Sequence, residues 1–136
     1  ANLTGADLSE ANLAEADLSA AVLTGAVFTK TQLGSAKLHG ARLGRCDLSS
    51  ADIDKTDLAL ADLYEATLPQ IPTVRGAAYW WLGVYSPDYA AKLGLSAEVQ
   101  QRNKAALERL HATPLDAAGI TAVVEELKAA APNAPA

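Results

Sequence analysis

The first seventy residues divide into fourteen consecutive units of five, with no insertion or deletion. Counted from Ala1, the first position of each unit is Ala at 1, 6, 11, 16, 21, 26, 36, 41, 51, 61 and 66, with Thr31, Cys46 and Thr56 as small replacements. The third position is Leu at Leu3, Leu8, Leu13, Leu18, Leu23, Leu33, Leu38, Leu43, Leu48, Leu58, Leu63 and Leu68, and otherwise Phe28 or Ile53. A period of five fits neither the 3.6 of an amphipathic helix nor the 2 of a half-buried strand. It indicates a repeat architecture. One tiny and one branched apolar residue in every five describe a short flat segment that turns Ala and Leu to one side and then bends. Coils made of such segments bury a continuous Leu column, and each coil depends on its neighbours above and below. Positions such as Asp7, Ser9 and Glu10 stay in water.

Units such as Ala6-Asp7-Leu8-Ser9-Glu10 and Ala61-Asp62-Leu63-Tyr64-Glu65 resemble the pentapeptide-repeat family, and the resemblance covers residues 1–70. It implies a β-solenoid of one kind, a right-handed quadrilateral β-helix with four units to a coil. The fourteen units then make about 3.5 coils.

The net charge of −5 resides in the repeat, where residues 1–68 hold ten acids against five bases and the remainder balances six against six. Between Asp17 and Asp47 there is no acid, and this band holds Lys30, Lys37, His39, Arg42 and Arg45. Lys37, His39, Arg42 and Arg45, with His39 on the outer face, form a candidate partner patch. Register offers another role for the band, because residues twenty apart would stack in neighbouring coils at about 4.8 Å. Lys30 would then lie over Glu10, Lys37 between Asp17 and Asp57, Arg42 beside Asp62 and Arg45 beside Glu65. Stacked opposite charges contribute a few tenths to about 1 kcal/mol each, and such a charge ladder is the expected arrangement.

Little in the chain suggests catalysis. Cys46 is the single cysteine, which excludes an internal disulfide framework, and its inward small position predicts a buried, inert thiol. His39 and His111, the only histidines, lack ligand spacing to Cys46 or to a carboxylate cluster. Asp52, Asp54 and Asp57 are close in sequence, but Asp52 and Asp57 occupy equivalent positions on adjacent sides and need not converge on a cation. The fourth-position Ser and Thr residues read as turn hydroxyls bonded to nearby backbone. Gly5, Gly25, Gly34, Gly40 and Gly44 sit at corner positions rather than in a phosphate-binding loop. Asn2-Leu3-Thr4 matches a glycosylation acceptor, a weak pattern inside a repeat. No metal and no cofactor is expected, and no run approaches a membrane span or a signal peptide. With no methionine in the chain, Ala1 is expected to be a processed or truncated start.

Pro69 and Pro72 are expected to end strand stacking at residue 70, leaving residues 71–131 as an α-helical C-terminal cap and 132–136 as a disordered tail. Ser86-Pro87-Asp88 reads as a helix start, Gly94 as its end, and Ser96 as the cap of a second helix carrying Val99, Ala106, Leu107 and Leu110 on one face. A last helix after Thr113-Pro114 carries Ile120, Val123, Val124 and Leu127, and Pro132 closes it. Five of the seven aromatic residues fall between Tyr79 and Tyr89. Trp80 and Trp81 are expected to lid the open bottom of the Leu column, since solenoids need end caps. The stretch from Tyr79 through Leu95 also resembles the tail that follows the repeats in members from photosynthetic bacteria.

The expected function is a non-catalytic protein-interaction or scaffold module for an unidentified protein, without direct nucleic-acid or membrane binding. A second class is a DNA-mimicking inhibitor of type II topoisomerase (gyrase), an activity of some members of the family the chain resembles. That role demands a long acidic rod, whereas about 3.5 coils span about 17 Å, about five base pairs, and the basic band interrupts the acidity. The first coil would leave Leu3, Leu8, Leu13 and Leu18 and its strand edge open, which suggests an end-to-end homodimer through that coil. The compartment is left open between cytoplasm and, for an export-processed chain, periplasm or thylakoid lumen.

Overall fold

The computed structural model describes residues 2–112 and 116–134. Second-position residues pair in parallel with the residue twenty positions on, Asn2 with Val22, Asp7 with Val27, Asn12 with Gln32 and Asp17 with Lys37, and the series runs on to Asp47 with Thr67. The chain therefore closes a coil every four units. Third-position N–H groups carry the ladder, as in Leu3 N–H to Val22 O at 2.7 Å and Leu23 N–H to Arg42 O at 2.8 Å. Each extended piece is so short that only β1 (Asp62–Leu63) and β2 (Val84–Tyr85) reach two residues.

Each of the five positions has a physical task. First-position Ala is buried wherever a coil lies on both sides, as at Ala26, Ala36 and Ala41. The polar replacements satisfy themselves in one shared way. Thr31 Oγ1, Cys46 Sγ and Thr56 Oγ1 donate to the third-position carbonyls of Leu8, Leu23 and Leu33, twenty-three residues back, at 2.8, 2.8 and 2.6 Å. Second-position Asp and Asn hold the turn, because their Oδ1 accepts the N–H two residues on, as in Asn2 to Thr4, Asp7 to Ser9, Asp52 to Asp54 and Asp57 to Ala59. Such Asx turns are a standard use of these side chains. The hydroxyls of Thr4 and Ser49 donate to Asn2 and Asp47 Oδ1 at 2.7 and 2.6 Å, so they bond the turn-forming side chain rather than the backbone. Fifth positions other than Ser50 and Gln70 turn the corner in the left-handed region, with Glu10 at φ 60°, Lys30 at 54° and Arg45 at 62°.

The Leu column is graded. Leu23, Phe28, Leu33, Leu38, Leu43, Leu48, Ile53, Leu58 and Leu63 are buried, whereas Leu3, Leu8, Leu13, Leu18 and Leu68 are partly buried.

Stacking does not end at Gln70. Asp57 pairs with Ala78, β1 pairs with β2, Lys55 N–H reaches Gly76 O, and Leu60 N–H reaches Leu82 O. Pro69 and Pro72 are tolerated because they sit at a corner and in the first turn of α1 (Ile71–Val74), where no ladder donor is required. The Tyr79–Tyr85 stretch is accordingly a 3-10 turn (Trp80–Leu82) followed by β2 rather than a helix.

Three further helices follow, α2 (Pro87–Leu93), α3 (Ala97–Ala112) and α4 (Ala117–Ala130). Gly94 ends α2 at φ 86°, with its N–H on Ala90 and Ala91 carbonyls. Ser86 does not cap α2 with its side chain; its hydroxyl accepts Glu65 N–H at 2.8 Å. Ser96 Oγ accepts Val99 N–H at the start of α3, and Asp116 Oδ1 accepts Gly119 N–H at the start of α4. The Thr113-Pro114 start expected for the last helix lies outside the described residues. Residues 132–134 carry no regular element, and the rest of the expected tail, 135–136, also lies outside.

Candidate interaction surfaces

Twenty residues per coil place units five residues apart on successive sides of the solenoid. Lys37 and His39 therefore share one side, while Arg42 and Arg45 lie on the next. Lys37, Arg42 and Arg45 are exposed, but His39 is 8 % exposed and covered by the helices. The four do not form a single patch. Nor does the charge ladder close: among the described residues no ion pair joins Lys30 to Glu10, Lys37 to Asp17 or Asp57, Arg42 to Asp62 or Arg45 to Glu65. Long side chains in water gain too little from such pairs to offset their fixing.

The side carrying His39 is the seam for α3 and α4. Its fourth and fifth positions are His39-Gly40 and Ala59-Leu60. Ala59 and Leu60 are buried with Leu82, Leu107, Leu110, Val124 and Leu127. A Cβ at Gly40 would stand 3.1 Å from Leu110 Cδ1, and His111 Nε2 lies 3.0 Å from Gly40 O. Ala59-Leu60, the one unit with Ala or a larger apolar residue at both the fourth and the fifth position, was the sequence signal for this seam.

At its centre is a polar cluster. Asp57 Oδ2 lies 3.0 Å from Lys128 Nζ and 2.8 Å from His39 Nε2. The His39 contact is out of line for a hydrogen bond. Burial alone would raise the Asp57 pKa, but the His39 ring, Lys128 and Ala59 N–H together hold it below the usual carboxylate value. Lys128 Nζ also stands 4.1 Å above the Tyr79 ring.

Below the column, Trp80 is 4 % exposed and packs with Val74, Ala77, Leu93 and the Leu stack, with the Arg75 guanidinium 5.3 Å from its ring. Trp81 is half-buried beside it, ring centroids 5.8 Å apart at 87°, and its Nε1 donates to Ala131 O at 2.8 Å.

The side carrying Asp62 is only partly covered. Between it and helices α2 and α3 runs a groove of about 650 Å³, floored by Val84, Tyr85, Ala90, Leu95 and Leu107 and edged by Asp62, Lys104, Glu108 and His111. Tyr64 stands at this groove and is 49 % exposed. Among the described residues no group of His, Cys, Asp and Glu could hold a metal ion, and no helix is long and apolar enough to cross a membrane.

A four-unit coil of A(D/N)Lxx segments on a parallel twenty-residue ladder defines a class. The chain belongs to the pentapeptide-repeat family: the model of pentapeptide repeats matches eight copies over residues 1–40 and 32–70. Its β-helix is the right-handed quadrilateral one. Among solved structures it is similar to a pentapeptide repeat protein from Nostoc PCC 7120, at 31% identity over 71% of this chain and 75% of that chain with a TM-score of 0.54. It is also similar to a pentapeptide repeat protein of the Arabidopsis thaliana thylakoid lumen, at 32% identity over 50% of this chain and 47% of that one with a TM-score of 0.49. A third is QnrB1, a plasmid-mediated fluoroquinolone resistance protein, at 22% identity over 65% of this chain and 42% of that one with a TM-score of 0.56. The chain thus covers less than half the length of the last two. A comparison with curated proteins gives no match.

Proposed function

We propose that the protein is a non-catalytic protein-interaction or scaffold module, a solenoid of about 3.5 coils whose helical C-terminal region serves as its cap. The observation that carries the reading is Tyr64, a large aromatic 49 % exposed beside an apolar groove. Exposed aromatics next to apolar concavities are characteristic of interface anchors. The backbone beneath is held in an Asx turn, with Tyr64 N–H on Asp62 Oδ1 at 3.2 Å. The test is capture of a binding partner by the protein and by Tyr64→Ser, with the fold monitored by circular dichroism. A partner held by the first and lost by the second supports the groove; equal capture discards it.

The gyrase-inhibitor reading is the weaker one. The second coil carries Val22, Val27, Gln32 and Lys37 at the second positions, so a whole turn of the surface lacks the acids a DNA mimic needs. Likeness to QnrB1 concerns the fold. The purified protein is expected to leave gyrase supercoiling unaffected at micromolar concentration, and clear inhibition would reverse the ranking.

For self-association the proposed surface is the first coil, where Leu3, Leu8, Leu13 and Leu18 are only partly buried. Light scattering over a concentration series tests it, and Leu8→Lys is expected to abolish any dimer.

A further inference from the structure

The lower edge of the solenoid is closed by a side chain that stands in for a peptide group. Gln100 on α3 accepts Tyr85 N–H through Oε1 at 2.9 Å and donates from Nε2 to Gly83 O at 3.0 Å. In a parallel ladder one residue of an incoming strand accepts from the residue after its partner and donates to the residue before it. Gln100 reproduces both bonds around Val84, so its amide occupies the place of one more rung beneath β2. Asn103, fully buried, extends the seal with Nδ2 to Trp81 O at 2.9 Å and Gly83 O at 3.1 Å.

We propose that Gln100 is an edge stop: by imitating a paired residue it denies the β2 edge to any further strand, from a second copy of this chain or from an extended segment of another protein. Open edges are templates for association. Gln100 satisfies the donor and acceptor such a strand would use, without supplying a continuing backbone. The inference goes beyond the interaction reading: Gln100 and β2 also line the groove beside Tyr64, but the proposal concerns the hydrogen-bonding edge of β2, and its tests leave Tyr64 unaltered.

Hydrogen exchange on the unaltered protein is the first measurement. The side-chain amide protons of Gln100 are expected to exchange more slowly than those of exposed Gln101, and equal rates would overturn the proposal. Gln100→Met, which keeps the length but neither hydrogen bond, is then compared in a Leu8→Lys background so that the first coil cannot contribute. Exchange at Tyr85 N–H is expected to rise about tenfold, the size of one lost net hydrogen bond, and light scattering is expected to grow with concentration. Protection unchanged at Tyr85, or lost without any association, would overturn the stop. If Gln100→Met does not keep its helical circular dichroism, Gln100→Glu retains an acceptor for Tyr85 N–H and loses only the donor to Gly83. Association of that variant supports the proposal, and a strictly unchanged oligomeric state refutes it.

Discussion

Lys128 on α4 reaches Asp57 across seventy-one residues of chain, Nζ to Oδ2 3.0 Å, and joins the last helix to the third coil of the repeat. Both side chains are about one-sixth exposed. Removing one partner leaves the other short of compensation in a mostly dry seam. Lys128→Met is expected to cost about 2 kcal/mol, below the 3–5 kcal/mol of a fully buried pair. Asp57→Asn isolates the charge, because Asn12 shows that Asn makes the same turn bond, whereas Asp57→Ala also loses the bond to Ala59 N–H. Denaturant titration should therefore rank Asp57→Ala as more damaging than Asp57→Asn.

Acid should loosen the same seam. The Asp57 pKa is lowered on folding, so the unfolded chain takes up its proton first as pH falls. The stability tied to this group is present in full above the ordinary carboxylate pKa of about 3.9 and is lost as pH drops through the lower folded value. Asp7, Asp17 and Asp47 are lowered too, chiefly by the hydroxyls of Ser9, Ser19 and Ser49. Stability measured from pH 6 to pH 2 should thus fall less steeply in Asp57→Asn than in the unaltered protein. Parallel curves would show that Asp57 carries no share of the acid response.

Trp80→Ala should remove about 3 to 5 kcal/mol, as for large core truncations, because the ring is sealed between the Leu column and Leu93. Trp81→Phe should cost about 1 to 2 kcal/mol, the bond from Nε1 to Ala131 O together with part of the ring's packing on Tyr79 and Trp80. Losses below 1 kcal/mol on truncating both rings to Ala would mean that they are displayed rather than packed.

Cys46 should be chemically silent. Burial pushes its thiol up to about 11, and the thiol already donates to Leu23 O at 2.8 Å. A disulfide reagent at pH 8 should label it only after denaturation. Rapid labelling of the native protein would show that the coil opens locally there.

The repeat was legible because its geometry is written at every fifth residue, so Ala at one position and Leu at another fix the inward face without any long-range information. Second-position Asp residues such as Asp7 were read as simply staying in water, and their turn bonds were hidden, since charge and turn propensity share one residue type. The seam was harder. His39 looked like an outward base because position alone assigns sidedness but not what lies over that side, and the helices that cover it come from residues near 110 and 124. Pro69 and Pro72 misled for a related reason, because their missing donors matter only if the ladder needs them. Gln100 carried no local signal at all; a single amide in an ordinary helix acquires its role from the strand it meets.

The graded Leu column sets an order of assembly. Among the described residues Leu23 and Leu43 have a coil on each side, Leu3 has one on a single side, and Trp80 and Trp81, the latter bonded through its carbonyl to Asn103 of α3, close the far end. In a stack where each layer is stabilised by its neighbours, the sealed end is where a first layer can persist unaided. Among the described coils, winding should then spread from the carboxyl-terminal ones toward the coil of Leu3. A ribosome delivers these coils in the opposite order.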